Sequence, residues 1–151
     1  MPVAPIPEGF STVTPTLVCS DASKAIDLYT KALGAKEVYR MACPTSGKIM
    51  HACIQIGSSK IFLADASPEA GCGTPTASNF YVYINDVDAT FSQAKQAGLK
   101  ETSAPQDMFW GDRVGNVKDQ FGNSWTLATH VRDVSPQEME EAKKKFAAKA
   151  A

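Results

Sequence analysis

The fold is decided by the stretch TVTPTLVCSDASKAIDLYTKALG at residues 12–34. Its first part, residues 12–18, is rich in β-branched side chains and predicts a strand. A helix is predicted for residues 22–33, because Ser20 or Asp21 can cap it with a side-chain oxygen. Apolar side chains at helical spacing then place one face of this helix on a sheet: Ile26, Tyr29 and Leu33. Gly34 supplies the left-handed turn that ends the helix.

The same order of elements returns further along the chain. Three landmarks recur at a nearly constant separation, with 65 residues from Asp21 to Asp86, 64 from Gly34 to Gly98 and 65 from Gly57 to Gly122. After the first helix, strands are predicted near residues 37–41, 49–56 and 60–65. The second copy has a predicted strand at 79–84, a helix at 87–97 and later strands near 114–118 and 124–129. A repeat of this kind predicts two βαβββ units, at about residues 11–65 and 78–130.

These units predict an α+β fold with a curved mixed sheet and helices on its outer face. We expect a single domain at residues 11–134, preceded by a proline-rich extended arm at 1–10 and with a connecting loop at 66–77. A C-terminal helix is predicted at 135–151, because Ser135 and Glu138 form a capping box around a proline at the first helical position. Neither unit alone can cover its sheet, so the two must pack together or pair across a dimer.

Composition narrows the possible partners. The chain has 151 residues, of which 44% are hydrophobic and 21% charged, so a globular core is expected rather than disorder. A net charge of -1 gives no field to attract nucleic acid. The sequence has no apolar run long enough to cross a membrane and no secretory signal pattern, so we expect a cytoplasmic protein. Its cysteines lack metal or disulfide spacing and predict reduced thiols: Cys19, Cys43, Cys53 and Cys72.

Alternation along the strands predicts which face could bind a molecule. One parity is apolar and suits the helix-covered core: Ile54, Ile56, Ile61, Leu63, Phe80, Val82, Ile84, Trp125 and Leu127. The opposite parity mixes aromatic, amide, hydroxyl and imidazole groups: Thr14, Thr16, His51, Cys53, Gln55, Phe62, Asn79, Tyr81, Tyr83, Ser124 and Thr126. If this face is curved and shielded, it forms a small-molecule cup, and if it is flat it is an ordinary solvent face.

The segment DMFWGDR at residues 107–113 concentrates further chemical groups. Trp110 offers a large contact area, and Arg113 offers a planar donor fork for a carboxylate or phosphate-like group. The alternative is structural, with Trp110 closing the sheet edge and Arg113 paired with a neighbouring acid: Asp107, Asp112 or Asp119. We expect Phe121 and Trp125, in the segment that follows, to serve packing.

Phrases from both units resemble the vicinal oxygen chelate superfamily, which contains glyoxalase I, extradiol dioxygenases and bleomycin-resistance proteins. They are TPTLV at residues 14–18, AIDLY at 25–29 and DQFGNSW at 119–125. More narrowly, GKIMHA at 47–52, FWGDR at 109–113 and ATH at 128–130 resemble its PhnB-like branch. The resemblance spans about residues 11–134 and implies a glyoxalase-like fold, a homodimer and a cup that a neighbour can complete.

The resemblance also locates the metal site of the superfamily, where His and Glu side chains on the first and last strands of each unit hold a divalent ion. The corresponding positions here are Thr14, Phe62, Asn79 and Thr126. None of them is His, Asp, Glu or Cys, and such a set holds catalytic transition metals poorly. We therefore expect no metal. A glycine-rich nucleotide loop is also absent from the sequence, and no other cofactor is expected.

Three functional hypotheses follow. The first is a metal-independent protein that binds a small, partly apolar organic molecule, with the predicted ligand contacts Thr14, His51, Gln55, Phe62, Asn79, Tyr81, Trp110, Arg113 and Thr126. The second is a lyase or isomerase that uses His51 as candidate general base together with Arg113, or a displaced metal. The third is a module whose cup is vestigial and which associates with another protein. His130, beyond the last predicted strand, is interpreted as structural or exposed.

Overall fold

The computed structural model describes residues 3–67 and 73–150. The first unit contains β1 (Thr16–Cys19), α1 (Ala22–Leu33), β2 (Lys36–Ala42), β3 (Ile49–Ile56) and β4 (Ser59–Asp65). The second contains β5 (Asn79–Tyr83), α2 (Val87–Gln96), β6 (Lys100–Asp107), β7 (Asp112–Lys118) and β8 (Ser124–His130). The helix α3 (Pro136–Ala150) follows. Part of the predicted connecting loop, with Cys72, lies outside the described residues.

Each unit forms its own four-stranded mixed sheet, in the orders β1-β4-β3-β2 and β5-β8-β7-β6. The first and last strands of each unit are parallel, and the other neighbouring strands are antiparallel. This topology confirms the two βαβββ units and the α+β class. It also leaves β1 and β5 as edge strands, each at one end of its sheet.

The first helix begins and ends as the sequence predicts. Of the two candidate caps, Asp21 accepts a hydrogen bond from the backbone N–H of Lys24 at 3.0 Å. Gly34 closes the helix in the left-handed region with φ 68°, which a residue with a Cβ adopts only with strain. In α3, Ser135 Oγ accepts from the Glu138 N–H at 3.1 Å, as expected for a capping box.

Two edge strands, β1 and β6, differ from the prediction. The strand predicted at residues 12–18 begins only at Thr16, directly after Pro15, whose ring nitrogen has no hydrogen to donate to a sheet. The sequence analysis did not locate β6, which reads KETSAPQD and contains few apolar side chains. Because β6 is an edge strand and mostly exposed, it needs no apolar alternation.

The apolar faces of both sheets meet in one core that contains the helices. The predicted inward side chains Ile54, Leu63, Trp125 and Leu127 are fully buried, and Phe80 and Val82 pack against them. Close packing constrains this side of the second sheet, because a Cβ at Gly115 would lie 2.8 Å from the Phe91 ring of α2. The helices therefore occupy this side of the sheets, and the predicted cup faces lie on the opposite side.

A buried polar cluster joins the two units across this core. Asp119 accepts hydrogen bonds through Oδ2 from the Tyr29 hydroxyl at 2.6 Å and from Trp125 Nε1 at 3.0 Å. Its Oδ1 accepts from the backbone N–H groups of Phe121 and Asn123, both at 2.9 Å. Burial, together with this bond to Asp119, raises the pKa of the Tyr29 phenol well above its usual value. The helix of the first unit is thus fixed to a turn of the second.

No helix in the described part of the chain is long and apolar enough to cross a membrane.

We predict that Tyr29→Phe lowers the free energy of unfolding by about 1–3 kcal/mol, because it leaves a buried carboxylate short of one donor. Urea unfolding monitored by circular dichroism measures this loss. The matched control is Tyr39→Phe, whose phenol is exposed and whose effect should stay within about 0.5 kcal/mol. Equal effects of the two changes would contradict the role given to the Tyr29–Asp119 bond.

Candidate functional site

The first unit presents a row of aromatic rings on the face opposite its helix. The Tyr39 hydroxyl and His51 Nε2 share a hydrogen bond of 2.8 Å. The His51 ring meets Phe62 edge-on at 4.6 Å between ring centroids, and Phe62 in turn lies 5.7 Å from Phe10. Cys53 is buried beneath this row, and burial raises the pKa of its thiol. The row therefore forms an apolar floor with one imidazole in it.

The N-terminal arm covers part of this floor. Lys60 anchors it, because its ammonium donates to the Gly9 carbonyl at 2.8 Å and lies 4.9 Å from the centroid of the Phe10 ring. A cavity of about 420 Å³ remains between the arm and the sheet, lined by Pro5, Ile6, Pro7, Phe10, Ser11, Thr12, Thr14, Tyr39 and Phe62. The described part of the arm turns at its end, where the Phe10 N–H donates to the Pro7 carbonyl at 3.1 Å, and it forms one wall of the candidate site.

The second unit presents a different face, built around Asp112. This carboxylate is only 2% exposed. Its Oδ2 accepts from the hydroxyl groups of Tyr81 at 2.6 Å and Tyr83 at 2.9 Å, and its Oδ1 pairs with His130 Nδ1 at 2.8 Å. Trp110 Nε1 donates to the Tyr81 hydroxyl at 3.1 Å. A buried anion therefore holds the rings of this face in place.

The titrating groups of this cluster respond to one another. Burial opposes ionisation of Asp112, but hydrogen bonds from Tyr81, His130 and Tyr83 outweigh it and lower the Asp112 pKa. Burial, followed by the bond to Asp112, raises the Tyr81 pKa to about 12. Hydrogen bonds to Asp133 and then to Asp112 raise the pKa of His130. The cluster thus favours an ionised Asp112, neutral tyrosines and a protonated His130.

A second cavity of about 550 Å³ lies between the units. Its walls include Thr14 and Lys60 from the first unit and Tyr81 and Tyr83 from the edge strand β5 of the second. Side chains of the core-facing parity also line it, among them Phe80, Val82 and Trp125. Because Thr14 lines both cavities, the two adjoin at this residue.

The structure brings many of the predicted contacts together. Thr14, His51 and Phe62 belong to the first face or its cavity, and Tyr81, Trp110 and Thr126 belong to the second. Asn79 is exposed at the start of β5 and pairs in register with Ser124. Gln55 is turned toward its own hairpin, since its Nε2 donates to the Gly57 carbonyl at 2.9 Å.

Arg113 does not lie with these residues. It follows Asp112 on β7 and therefore points to the helix side of the sheet, where its Nε bonds Asp88 of α2 at 2.9 Å and its Nη1 bonds Asp107 at 3.3 Å. These partners raise its pKa still further above the usual range. The structural alternative of an ion pair is thus observed, with Asp107 among the expected partners and Asp88 not anticipated. The prediction that Arg113 contacts a ligand in the cup is therefore wrong.

The central role of Asp112 was not predicted from the sequence. The strand was predicted to start at residue 114, whereas β7 begins at Asp112. With the correct start, alternation would have placed Asp112 on the same face as Asn116, which accepts a hydrogen bond from the Thr126 hydroxyl at 2.6 Å. His130 was also expected to be structural or exposed, and it has both properties, being half exposed and bonded to Asp112 and Asp133.

Comparison with known proteins agrees with this architecture. Residues 11–127 match the model of the Glyoxalase/Bleomycin resistance protein/Dioxygenase superfamily. The chain belongs to this superfamily. It is 39% identical over 139 residues to an uncharacterized protein of Mycobacterium bovis, a match that covers 86% of this chain and 90% of that protein.

Solved structures of the superfamily share the fold. TioX from Micromonospora is 25% identical with a TM-score of 0.66, over 80% of this chain and 99% of that one. A PhnB protein from Bacillus cereus, described as a putative 3-demethylubiquinone-9 3-methyltransferase, is 16% identical with a TM-score of 0.62, over 79% and 99% of the two chains. The second likeness concerns the fold alone.

The residues that the resemblance places at the superfamily's metal positions do not fit a divalent ion. Thr14 and Thr126 offer hydroxyl groups and Asn79 an amide, whereas Phe62 offers an aromatic ring that already packs on Phe10 and His51. Without a carboxylate, imidazole or thiolate, such a donor set binds transition metals weakly. Within residues 3–67 and 73–150, no three side chains of His, Cys, Asp or Glu converge to replace it.

The Asp112 cluster predicts a pH-dependent contribution to stability. Because folding raises the pKa of His130 above its unperturbed value of 6.5, protonation favours the folded state. This contribution is complete below the unperturbed value and is lost as the pH rises through the raised one. His130→Gln should therefore lower the melting temperature more at about pH 5.5 than at about pH 9. Thermal unfolding of both proteins across this range measures the difference, and a pH-independent difference would contradict the assignment.

Proposed function

We propose that this protein binds a small, partly apolar organic molecule between its two cup faces and does so without a divalent metal. The support lies in two open clefts and their walls, since volumes of about 420 Å³ and 550 Å³ have the size of small-molecule sites. Their walls combine aromatic rings with a few hydroxyl groups, as such sites usually do.

One observation carries this proposal, namely the surroundings of Phe62. The superfamily resemblance implies a metal ligand at this position, whereas the side chain here is an aromatic ring between those of Phe10 and His51. An aromatic side chain there would attract apolar surface and provide nothing for an ion. The arm that contributes Phe10 is fixed by Lys60, so the apolar wall is in place before a ligand arrives.

A second candidate function is a lyase or isomerase of the same superfamily. It is favoured by the position of His51, whose imidazole is half buried on the cup floor and shares a hydrogen bond of 2.8 Å with the Tyr39 hydroxyl. The hydrogen bond between the Tyr39 phenol and one ring nitrogen fixes the orientation of the imidazole. A fixed orientation favours proton transfer by a general base. Arg113 has no part in this version, because its ion pairs hold it on the other side of the sheet.

We further propose that the working form is a homodimer. Apolar side chains of β2 on the first cup face are exposed in the single chain, namely Tyr39 at 37% and Met41 at 52%. A second copy packed against β2 would cover them. We also propose a cytoplasmic location, because the three described cysteines are free thiols, as is usual in a reducing compartment: Cys19, Cys43 and Cys53.

Binding to the first face is tested with the neutral fluorescent probe N-phenyl-1-naphthylamine. We predict that the wild-type protein enhances its fluorescence and that Phe62→Ala weakens binding at least about fivefold, because the central ring of the floor is lost. The matched control is Phe146→Ala on α3, which removes a ring that is 57% exposed and should leave the affinity unchanged. Probe binding that is equally strong in Phe62→Ala would exclude this face as the site.

Metal independence is tested by elemental analysis of the purified protein. We predict that divalent metal is substoichiometric and that a chelator leaves the probe affinity unchanged, since the donor set suits no transition metal. One zinc, nickel, manganese or iron ion held per site would overturn the metal-free version.

For the enzymatic version, turnover that survives His51→Ala would exclude His51 as general base.

Dimerisation is tested by sedimentation velocity. We predict that the wild-type protein sediments with the mass of two chains and that Met41→Lys shifts it toward one, because a charge would be buried at the interface. Met41 lies opposite His51 in the register of β2 and β3. Gln120→Lys, at an exposed turn, is the control and should remain dimeric. A wild-type monomer at high concentration would contradict the proposal.

A further inference from the structure

Three aromatic side chains of the second face form one continuous surface, which we call the tyrosine patch and define as Tyr81, Tyr83 and Trp110. The two tyrosine rings lie 5.2 Å apart, and Trp110 is bonded to the Tyr81 hydroxyl. Tyr81 and Tyr83 are 45% and 64% exposed. The patch thus offers ring surface to a ligand while its polar atoms are held from below.

The hydrogen bonds of the patch all point inward. The hydroxyl hydrogens of Tyr81 and Tyr83 are donated to Asp112, and the indole hydrogen of Trp110 is donated to Tyr81. Both nitrogens of His130 face carboxylates, those of Asp112 and Asp133 at 2.8 Å each. Each donor is therefore in use, and the patch presents only ring faces and oxygen lone pairs to a ligand.

The charged groups next to the patch are net negative, which favours a cationic ligand. Asp112 and Asp133 carry two negative charges against one positive charge on a protonated His130. Lys60 is a cation in the wall of the cavity that Tyr81 and Tyr83 also line, but its ammonium is bonded to the Gly9 carbonyl and lies over the Phe10 ring. An anionic ligand would find no free donor on the patch and would face a net negative cluster. A cation would find negative ring faces and acceptors.

We propose that the tyrosine patch binds a small organic cation, such as a quaternary or aromatic ammonium group, through its ring faces over the buried Asp112. This inference rests on the proposed function and specifies it, because it assigns a charged end to a ligand whose apolar part would lie toward Phe62. The bonds to Asp112 keep the rings in place before binding, which lowers the entropic cost of forming the site.

The test uses three water-soluble probes that share a benzyl group: benzyltrimethylammonium, benzyl alcohol and phenylacetate. Titration of the full chain, followed by nuclear magnetic resonance, gives the three dissociation constants. We expect benzyltrimethylammonium to bind at least about fivefold more tightly than benzyl alcohol, with phenylacetate the weakest. Trp110→Leu should reduce the preference for the cation, because it removes the ring with the strongest cation–π attraction. Tyr83→Phe keeps a ring and should retain most of it.

The control is Asp88→Asn, which removes an exposed carboxylate on the helix side of the same sheet and should leave the preference unchanged. We choose Trp110 over Asp112 as the main variant, since replacing a buried carboxylate with three partners would test folding as well as binding. Equal affinities for the three probes would overturn the inference, as would a preference that survives Trp110→Leu and Tyr81→Leu combined.

Failure of this inference can be told apart from failure of the proposed function. Loss of the cation preference, with N-phenyl-1-naphthylamine still bound and still sensitive to Phe62→Ala, overturns the tyrosine patch alone. If the neutral probe does not bind while benzyltrimethylammonium is still preferred, the proposal of ligand binding at the apolar floor is overturned and the cation site remains. Absence of binding by either class of probe overturns both.

Discussion

The carboxylate of Asp119 joins the two halves of the molecule, because it accepts hydrogen bonds from Tyr29 of the first unit and from Trp125 of the second. Each half is a four-stranded sheet with one helix, too small to bury its apolar face alone. A carboxylate buried at their junction is costly unless its oxygens have hydrogen-bond donors. Here Oδ2 has donors from both units, and Oδ1 has two backbone donors from the second. Separating the units would expose the apolar core and leave this group short of partners. The cleft between the units, with the cavity lined by Thr14 and Tyr81, keeps its shape only while this junction holds.

Much of the fold could be predicted from the sequence, because its signals are local or repeat. Asp21 and Gly34 mark the ends of α1 through cap chemistry that depends on neighbouring residues only. Alternation separates Ile54 from His51 on β3, since successive strand residues point to opposite faces. The edge strand β6 escaped prediction because an exposed strand is stabilised by its backbone ladder to β7, and its own side chains show little apolar alternation.

The candidate site was predictable to a lesser extent. Phe62 and Tyr81 were found because parity alone assigns them to the cup face. Arg113 was assigned to the cup by its chemistry, yet a strand start two residues earlier than predicted puts it on the helix side with Asp88. Because the predicted strand started too late, Asp112 was also left out of it. Its importance comes from hydrogen bonds to three side chains on other strands. Asp112 and Arg113 are adjacent on β7 and therefore point to opposite faces of the sheet. One charged side chain belongs to the candidate site, and the other stabilises the helix side.

The two units also show how a repeated fold yields unlike surfaces. Phe62 and Thr126 occupy equivalent positions in the last strands of their units, each beside the first strand of its own unit. Around Phe62 the chain adds an arm that brings another aromatic ring and leaves little polarity. Around Thr126 the neighbouring strand supplies Tyr81, and the sheet supplies a buried carboxylate. A site between such faces is apolar at one end and rich in acceptors at the other, so the proposed ligand would bind in one orientation. This asymmetry arises from a few side chains, because the backbone of the two units follows one topology.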